Sequence, residues 1–530
     1  MLKLYKIVCL AAIALLAGGC KKYLDINSNP SVPQEARAEF LLAPITYQMA
    51  NGTSQDYRVI AKLTQGITGS VTDVASVIWE RHGFPAGSDV GGVIWRMTYV
   101  DLGLNLENMI NDALANKKYE YAAIGYAIKA WAYQQATDLH GPIILDEAFT
   151  PGMLSFPYHD QDEVYARVRE WGALALKYSN MKSPIDQSSK LSDVTGDNIY
   201  RGNMLRWRKF VYALFALQYS HLVNKPEYAS QYADSVIKYT DLSFATSAED
   251  ATIFFSAAAS TDVNPFGPTS GLLLTTHYTR PATNIVDYLT GRTRGDTLIT
   301  DTTAYIDPRL PRMLVPHSVT RKYVGSVPTK AAVTEVAPLL GYTSSGTAGL
   351  NGHYLFTDNA RYPIMSYAQL QFAKAEALYL KGDKMAAFAA YRSGIIGHMD
   401  FVNLYGRTSK NSVPAITNLE VENYLSSPEV ARSPAELTMT DIMGQKYIAQ
   451  WGWAFLEQWT DIRKYHYDPA IFRNYYQLTR TELSSDNNGK FAYRFRPRYN
   501  SEYVWNQKEL EKWQGLDRDY MTKELWFSKP

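Results

Sequence analysis

Cysteine is nearly absent from this sequence, and the two that exist sit close together: 530 residues hold Cys9 and Cys20 and no others. Cys9 lies in an unbroken apolar run, Ile7 to Ala17, behind the basic residues Lys3 and Lys6. That run is too short for a bilayer, which takes about 20 apolar residues, and has the length of a signal-peptide core. Ala17, Gly18 and Gly19 lead into Cys20, a pattern that looks like a lipobox, in which cleavage leaves a lipid-modified cysteine at the new N-terminus. Residues 1–19 are thus expected to be a lipoprotein signal peptide, with Cys20 the lipid attachment. The mature chain would keep one cysteine, so it could form no internal disulfide. An ordinary secretory signal with a chance cysteine is the alternative. One acyl chain holds a protein to a membrane only marginally, whereas two or three anchor it durably.

Charge of one sign is lacking too. Removing residues 1–19 takes away Lys3 and Lys6 and no acid, so the 53 basic residues become 51 against 52 acidic, a formal charge of −1. Nucleic-acid binders leave a basic footprint, and none is present. No later stretch reaches 18 apolar residues, so the anchor is the expected route to a membrane.

Catalytic and metal motifs are missing as well. The nine histidines (82, 140, 159, 221, 277, 317, 353, 398 and 466) are scattered, with no His-Glu-x-x-His pair. There is no Gly-x-Ser-x-Gly elbow and no phosphate loop. Asp146-Glu147 and Glu457/Asp461 are carboxylate pairs. A glycosidase, however, holds its two carboxyls about 5–9.5 Å apart across a sugar, usually from different elements. Neighbours in sequence, or residues one helical turn apart near Arg463, fit ion pairs better. The expectation is no enzyme, no cofactor and no metal.

What is abundant is helical patterning and tyrosine. Tyr121 to Leu139 places Ile124, Ile128 and Trp131 on one face, and His140-Gly141-Pro142 stops it. Asp160 to Tyr178 repeats the pattern with Val164, Val168 and Trp171. Asn203 to Val223 is apolar nearly all round, which predicts deep burial, and Tyr228 to Tyr239 follows Lys225-Pro226. Tyr367 to Leu380 carries Leu370, Ala373, Ala377 and Leu380; Gly382 ends it and Asp383 can cap the next helix. The alanines on these two helices permit close approach, as in tetratricopeptide-type pairs, although no clean 34-residue period appears. Between the helical halves, about 241–361, lies a Thr-, Ser-, Gly- and Pro-rich insertion containing Asn264-Pro265-Phe266-Gly267-Pro268 and Gly341-Tyr342-Thr343-Ser344-Ser345-Gly346. A long irregular insertion of this kind is usually functional or disordered, and its aromatics argue against full disorder. No linker divides residues 20–530, so one α-rich domain is expected, with 20–35 as a polar tether.

Several segments, in order, resemble the SusD/RagB family of nutrient-binding outer-membrane lipoproteins of Bacteroidetes. They are Cys20-Lys-Lys-Tyr-Leu-Asp25; Trp95-Arg-Met-Thr-Tyr99 with Asn105 or Asn108; Thr137-Asp138-Leu-His-Gly141-Pro142 with Glu147-Ala148; and Asp307-Pro308-Arg309-Leu310. Met365 to Ala377 is the sharpest match, with Gln369 where the family usually has Glu. Gln445 to Ile448, Trp459 to Arg463, and Arg496-Pro-Arg-Tyr499 with Glu502 and Asn506 complete the order. The resemblance implies a mostly α, SusD-like body of four tetratricopeptide-like helix pairs with irregular ligand-facing loops. It implies capture of an oligosaccharide, or of a peptide, and delivery to a SusC-like TonB-dependent transporter in the outer membrane.

Sugar capture calls for aromatic rings, because a pyranose face presents C–H bonds to the negative π-face, with polar neighbours for the hydroxyls. The candidate platforms are Trp79, Trp95, Phe266, Tyr342 and Tyr354. Trp79 and Phe84 flank a predicted loop, Glu80-Arg81-His82-Gly83. Trp95 could equally pack on Tyr99 in the core. Trp131, Trp207, Trp451, Trp453 and Trp459 fall inside helical patterns and read as structural. Competing readings are a helical-repeat scaffold with no small ligand and a surface glycoside hydrolase.

Overall fold

The computed structural model describes residues 36–69, 74–85, 87–273, 279–291, 307–330, 335–342, 352–407 and 413–530. The expected signal peptide (1–19), Cys20 and the expected tether (20–35) lie outside the described residues. Ten helices of ten or more residues carry the described part. They are α1 (Ala38–Leu63), α2 (Gly103–Ala115), α3 (Tyr119–His140), α4 (Gln161–Ser179), α5 (Met204–Ser220), α6 (Ala233–Leu242), α7 (Tyr367–Leu380), α8 (Lys384–Tyr405), α9 (Met439–Gln450) and α10 (Phe455–Lys464). None of the described helices is long and apolar enough to cross a membrane.

The periodic stretches become the helices expected of them, and the caps explain where they start. Asp160 accepts Gln161 N–H at the head of α4, Ser366 accepts Gln369 N–H at the head of α7, and Asp383 accepts Ala386 N–H at the head of α8. Each satisfies a backbone donor that the first helical turn leaves without a partner. The stretch after Lys225-Pro226 opens as a π-turn, Tyr228–Tyr232, before α6 begins. Consecutive helices pair: α3 with α4, α5 with α6, and α7 with α8 make the closest contacts, and α9 runs into α10 through Trp451–Ala454. Ala375, Ala387 and Ala390 of α7 and α8 are buried in the main core, while Ala373 and Ala377 of α7 are buried in a second cluster with Ala233 and Val236 of α6.

Strands are few and short. β1 (Ile67–Thr68) pairs antiparallel with β3 (Arg280–Pro281), and β2 (Ala251–Ile253) pairs antiparallel with β4 (Tyr362–Met365). Both pairings tie the 241–361 stretch to the helical body. Much of the described part of that stretch therefore packs into the core, with Phe255, Phe266, Tyr288, Tyr354 and Phe356 all buried, while Phe254 and Val319 stay exposed.

A buried polar lattice locks the late helices to α7. Lys464 reaches Glu376 at 2.8 Å and Asp461 at 2.9 Å, Lys446 reaches Asp461 at 2.7 Å, and Tyr465 donates to Glu376 at 2.7 Å. The four charges cancel, which is what makes their burial tolerable. Asp461 would be raised by burial, but the two ammonium groups outweigh that and hold it below the usual carboxylate range.

Candidate functional site

The segment after helix Val74–Glu80 is bolted down before it forms a site. Glu80 accepts Gly69 N–H at 2.6 Å and Thr329 N–H at 2.7 Å. Arg81 donates to the carbonyls of Glu482 and Thr481. His82 takes a left-handed conformation (φ +59°), accepts Ala492 N–H on Nδ1 and faces Tyr475 Oη with Nε2. Burial pushes its pKa down to about 3, so the imidazole is neutral and the Nε2–H donates. The Glu80-Arg81-His82-Gly83 loop is thus a structural clamp, and the groups on either side of it are what meet the ligand space.

That space is a cleft of about 300 Å³ between residues 84–91 and the C-terminal segment. Trp79 and Phe495 form the floor, ring centroids 4.9 Å apart and almost wholly buried, with Met521 beside them. Phe84, Pro85, Pro497, Tyr499 and Tyr503 line the walls. Tyr499 and Tyr503 stack at 5.4 Å, and Tyr499 is 38% exposed. The Arg496 guanidinium lies 4.2 Å over Phe84 and donates to Tyr503 Oη and to the carbonyls of Gly515, Asp517 and Arg518. Asp89 fastens the 87–92 loop to the opposite wall, accepting from Asn500 N (2.9 Å), Asn500 Nδ2 (2.8 Å) and Arg498 (3.1 Å). The result is a mostly apolar, ring-lined slot with polar groups at its rim, the geometry of a small-ligand site.

The predicted platforms divide. Trp79 lines the cleft. Trp95 does not: it is buried among Tyr99 (5.1 Å), His140 (5.4 Å) and Tyr158 (5.5 Å), and so packs the core. Phe266 and Tyr354 were expected on exposed loops and are instead buried, which corrects that expectation. Phe266 packs on Tyr362, Phe356 and Phe455. Tyr354 stacks on Trp451 at 6.0 Å and fills the space left by Gly406 and Gly452; a Cβ at either would come within 2.6 and 3.1 Å of its ring. Tyr342 is half-buried, edge-on to His317 at 6.2 Å, and does not line the cleft. The cleft residues that the sequence reading passed over as ligand groups are Phe495, Arg496, Tyr499 and Tyr503. The run from Phe491 to Tyr503, in which aromatics alternate with arginines, was the available signal.

The acids are committed elsewhere. Asp146 pairs with Arg167 and Glu147 with His159 at 3.1 Å. Glu457 meets His221 Nε2 at 3.0 Å, while Asp138 faces Nδ1 of the same ring at 3.6 Å and accepts from Tyr165 at 2.6 Å. Burial would lower the His221 pKa, but Glu457 and Asp138 outweigh it and raise it, favouring an imidazolium between two carboxylates. Asp138, His221 and Glu457 are the one grouping among the described residues whose atoms could approach a metal ion.

A second cleft of about 290 Å³ lies between Pro142, Asp160, Arg494, Trp513 and Trp526. Its Lys512 and Lys523 are paired with Glu509 (2.6 Å) and Asp517 (2.5 Å), and Trp526 is covered by Lys225 at 4.3 Å. It offers fewer free ring faces than the first.

Comparison with known proteins bears on the whole chain. A SusD-like family model, described as starch-binding and associating with the outer membrane, matches residues 30–496. No curated protein matches significantly. Among solved structures, a chitin-binding protein superposes with a TM-score of 0.70 at 16% identity, covering 93% of this chain and 99% of its own. A SusD/RagB family protein from Bacteroides thetaiotaomicron gives 0.68 at 18%, covering 93% and 99%. A chitin-binding SusD homologue from Flavobacterium johnsoniae gives 0.67 at 15%, covering 93% and 98%. At these identities the structural likeness speaks to the fold.

Proposed function

Because the chain belongs to the SusD-like family, we propose that it is a lipid-anchored nutrient-capture protein of the outer membrane. In this reading it binds glycans in the Trp79–Tyr499 cleft and passes them to a SusC-like TonB-dependent transporter. The observation that carries the binding step is the slot itself: apolar rings at floor and wall, one of them exposed, with no carboxylate pair across it. A pyranose ring can lay its C–H face on Tyr499 while rim groups meet its hydroxyls. Two of the similar structures are named for chitin binding, which makes β-linked N-acetylglucosamine chains the first ligands to try. The committed acids support binding over hydrolysis. Cys20 supplies the anchor and residues 20–35 the tether. Oligosaccharide is favoured over peptide because the cleft presents ring faces and no free strand edge among the described residues.

The test is calorimetric titration of the mature chain with chitohexaose, maltohexaose and a peptide pool, repeated on Tyr499→Ala. One stacked ring contributes about 0.5–1.5 kcal/mol, so Tyr499→Ala should weaken glycan binding roughly 2- to 12-fold. Its melting temperature should hold, since the side chain is well exposed. Full-strength glycan binding by a Phe84→Ala/Tyr499→Ala double variant would remove the cleft from consideration. Saturable binding of peptides alone would replace the ligand class.

A further inference from the structure

We infer that Asp56 is the positioning residue of the cleft: from α1 it holds the 87–92 loop against the aromatic floor and so sets where the Tyr499 wall stands. It accepts Gly91 N–H on one carboxylate oxygen at 2.8 Å and Ile94 N–H on the other at 2.7 Å, and it is fully buried. Gly91 is confined. Its φ is +88°, and a Cβ there would come within 2.9 Å of Trp79 Cη2 and 3.0 Å of Phe495 Cδ2. Two residues earlier, Asp89 grips Asn500 and Arg498 on either side of Tyr499. One acid therefore ties the loop to the core and the other ties it to the wall. Movement released at Asp56 passes directly to the floor rings and to Tyr499.

The arrangement makes the loop sensitive to pH. Burial pushes the Asp56 carboxyl up to about 7, against the pull of the Ile94, Gly91 and Val93 amides and of Arg58. The cations on the packed elements are committed, Arg96 to Asp101 and Arg498 to Asp89. His82 and His140 are pushed down to about 3 by burial and stay neutral in this range. When the loop lifts, the carboxyl regains water and its ordinary value near 3.9. Between about pH 4 and 7 the docked loop then holds a proton that the lifted loop lacks. Docking is strongest below pH 4 and is lost progressively as the pH rises toward and through 7. The consequence for ligand rests on the cleft being the glycan site; the docking itself can be read without ligand.

The experiment is amide hydrogen exchange at residues 91 and 94 of the mature chain from pH 6 to 8.5, corrected for intrinsic base catalysis. The opening equilibrium should rise up to about tenfold over that range. Asp56→Asn cannot titrate, so its exchange profile should be flat across this range. Chitohexaose affinity should weaken in the same direction in the native chain and lose its pH dependence in the variant. A flat exchange profile in the native chain overturns the assignment, and that measurement stands even if Asp56→Asn fails to fold. If exchange behaves as expected and no glycan binds, the positioning role is upheld and the glycan reading falls.

Discussion

Replacing Lys464 by methionine tests whether the buried charge lattice holds the late helices to α7. In the native chain two ammonium groups and two carboxylates cancel, all nearly or fully buried. Methionine fills much of the lysine's volume, so the change is chiefly one of charge. It leaves Glu376 and Asp461 to share Lys446, which sits 2.7 Å from Asp461 but 3.8 Å from Glu376. Ser220 O also loses a donor at 3.1 Å. Breaking a buried pair from one side costs about 3–5 kcal/mol. Unfolding entropy is about 2.1 cal/mol/K per residue, so some 500 residues melting as one unit lose about 1 °C per kcal/mol. The expected drop is therefore about 3–5 °C by scanning calorimetry at pH 7.5. In the variant Asp461 keeps only one of the two ammonium groups that hold its carboxyl down against burial, so its pKa moves up relative to the native chain and the native advantage narrows as pH falls. The deficit should accordingly shrink at pH 5. Adding Glu376→Gln should restore part of the loss, with a coupling above about 1 kcal/mol. A melting temperature within 1 °C of native at both pH values would refute the reasoning, because it would mean that the lattice is hydrated or slack.

Phe266→Ala and Tyr354→Ala should each cost about 3–5 kcal/mol, as core truncations do, and lower the melting temperature, while Tyr499→Ala should not. Equal melting curves for all three would contradict the burial described. Cys20→Ser should yield unprocessed or soluble protein that no longer fractionates with membranes; unchanged fractionation would rule out the lipid as the sole attachment. A stable lid-like contact buries about 1,200–2,000 Å² or more, so mild detergent extraction should recover the protein with a TonB-dependent barrel if the proposed partnership holds. Recovery of the protein alone, with the barrel shown to be expressed, would count against that partnership.

The helical body was legible in the sequence because it is written locally. Leu370, Ala373, Ala377 and Leu380 repeat at helical spacing, and Ser366 and Asp383 mark helix starts through bonds only three residues long. The ordered motifs from Trp95 to Asn506 pointed to the family whose model matches residues 30–496. The binding face was not legible in the same way. Exposure depends on what the rest of the chain places over a ring, and that is a long-range property. Tyr354 sits in a Gly-rich stretch that reads as loop, yet Trp451, nearly a hundred residues away, and the hollows at Gly406 and Gly452 bury it completely. Tyr499 lies in a segment that reads as a family landmark. It becomes a wall only because Asp89, over four hundred residues earlier, grips Asn500 beside it. Local spacing determined which residues form helices and how those begin. Only tertiary packing decided which aromatics face water, since a ring's burial is settled by its neighbours in space, and sequence distance carries no record of them.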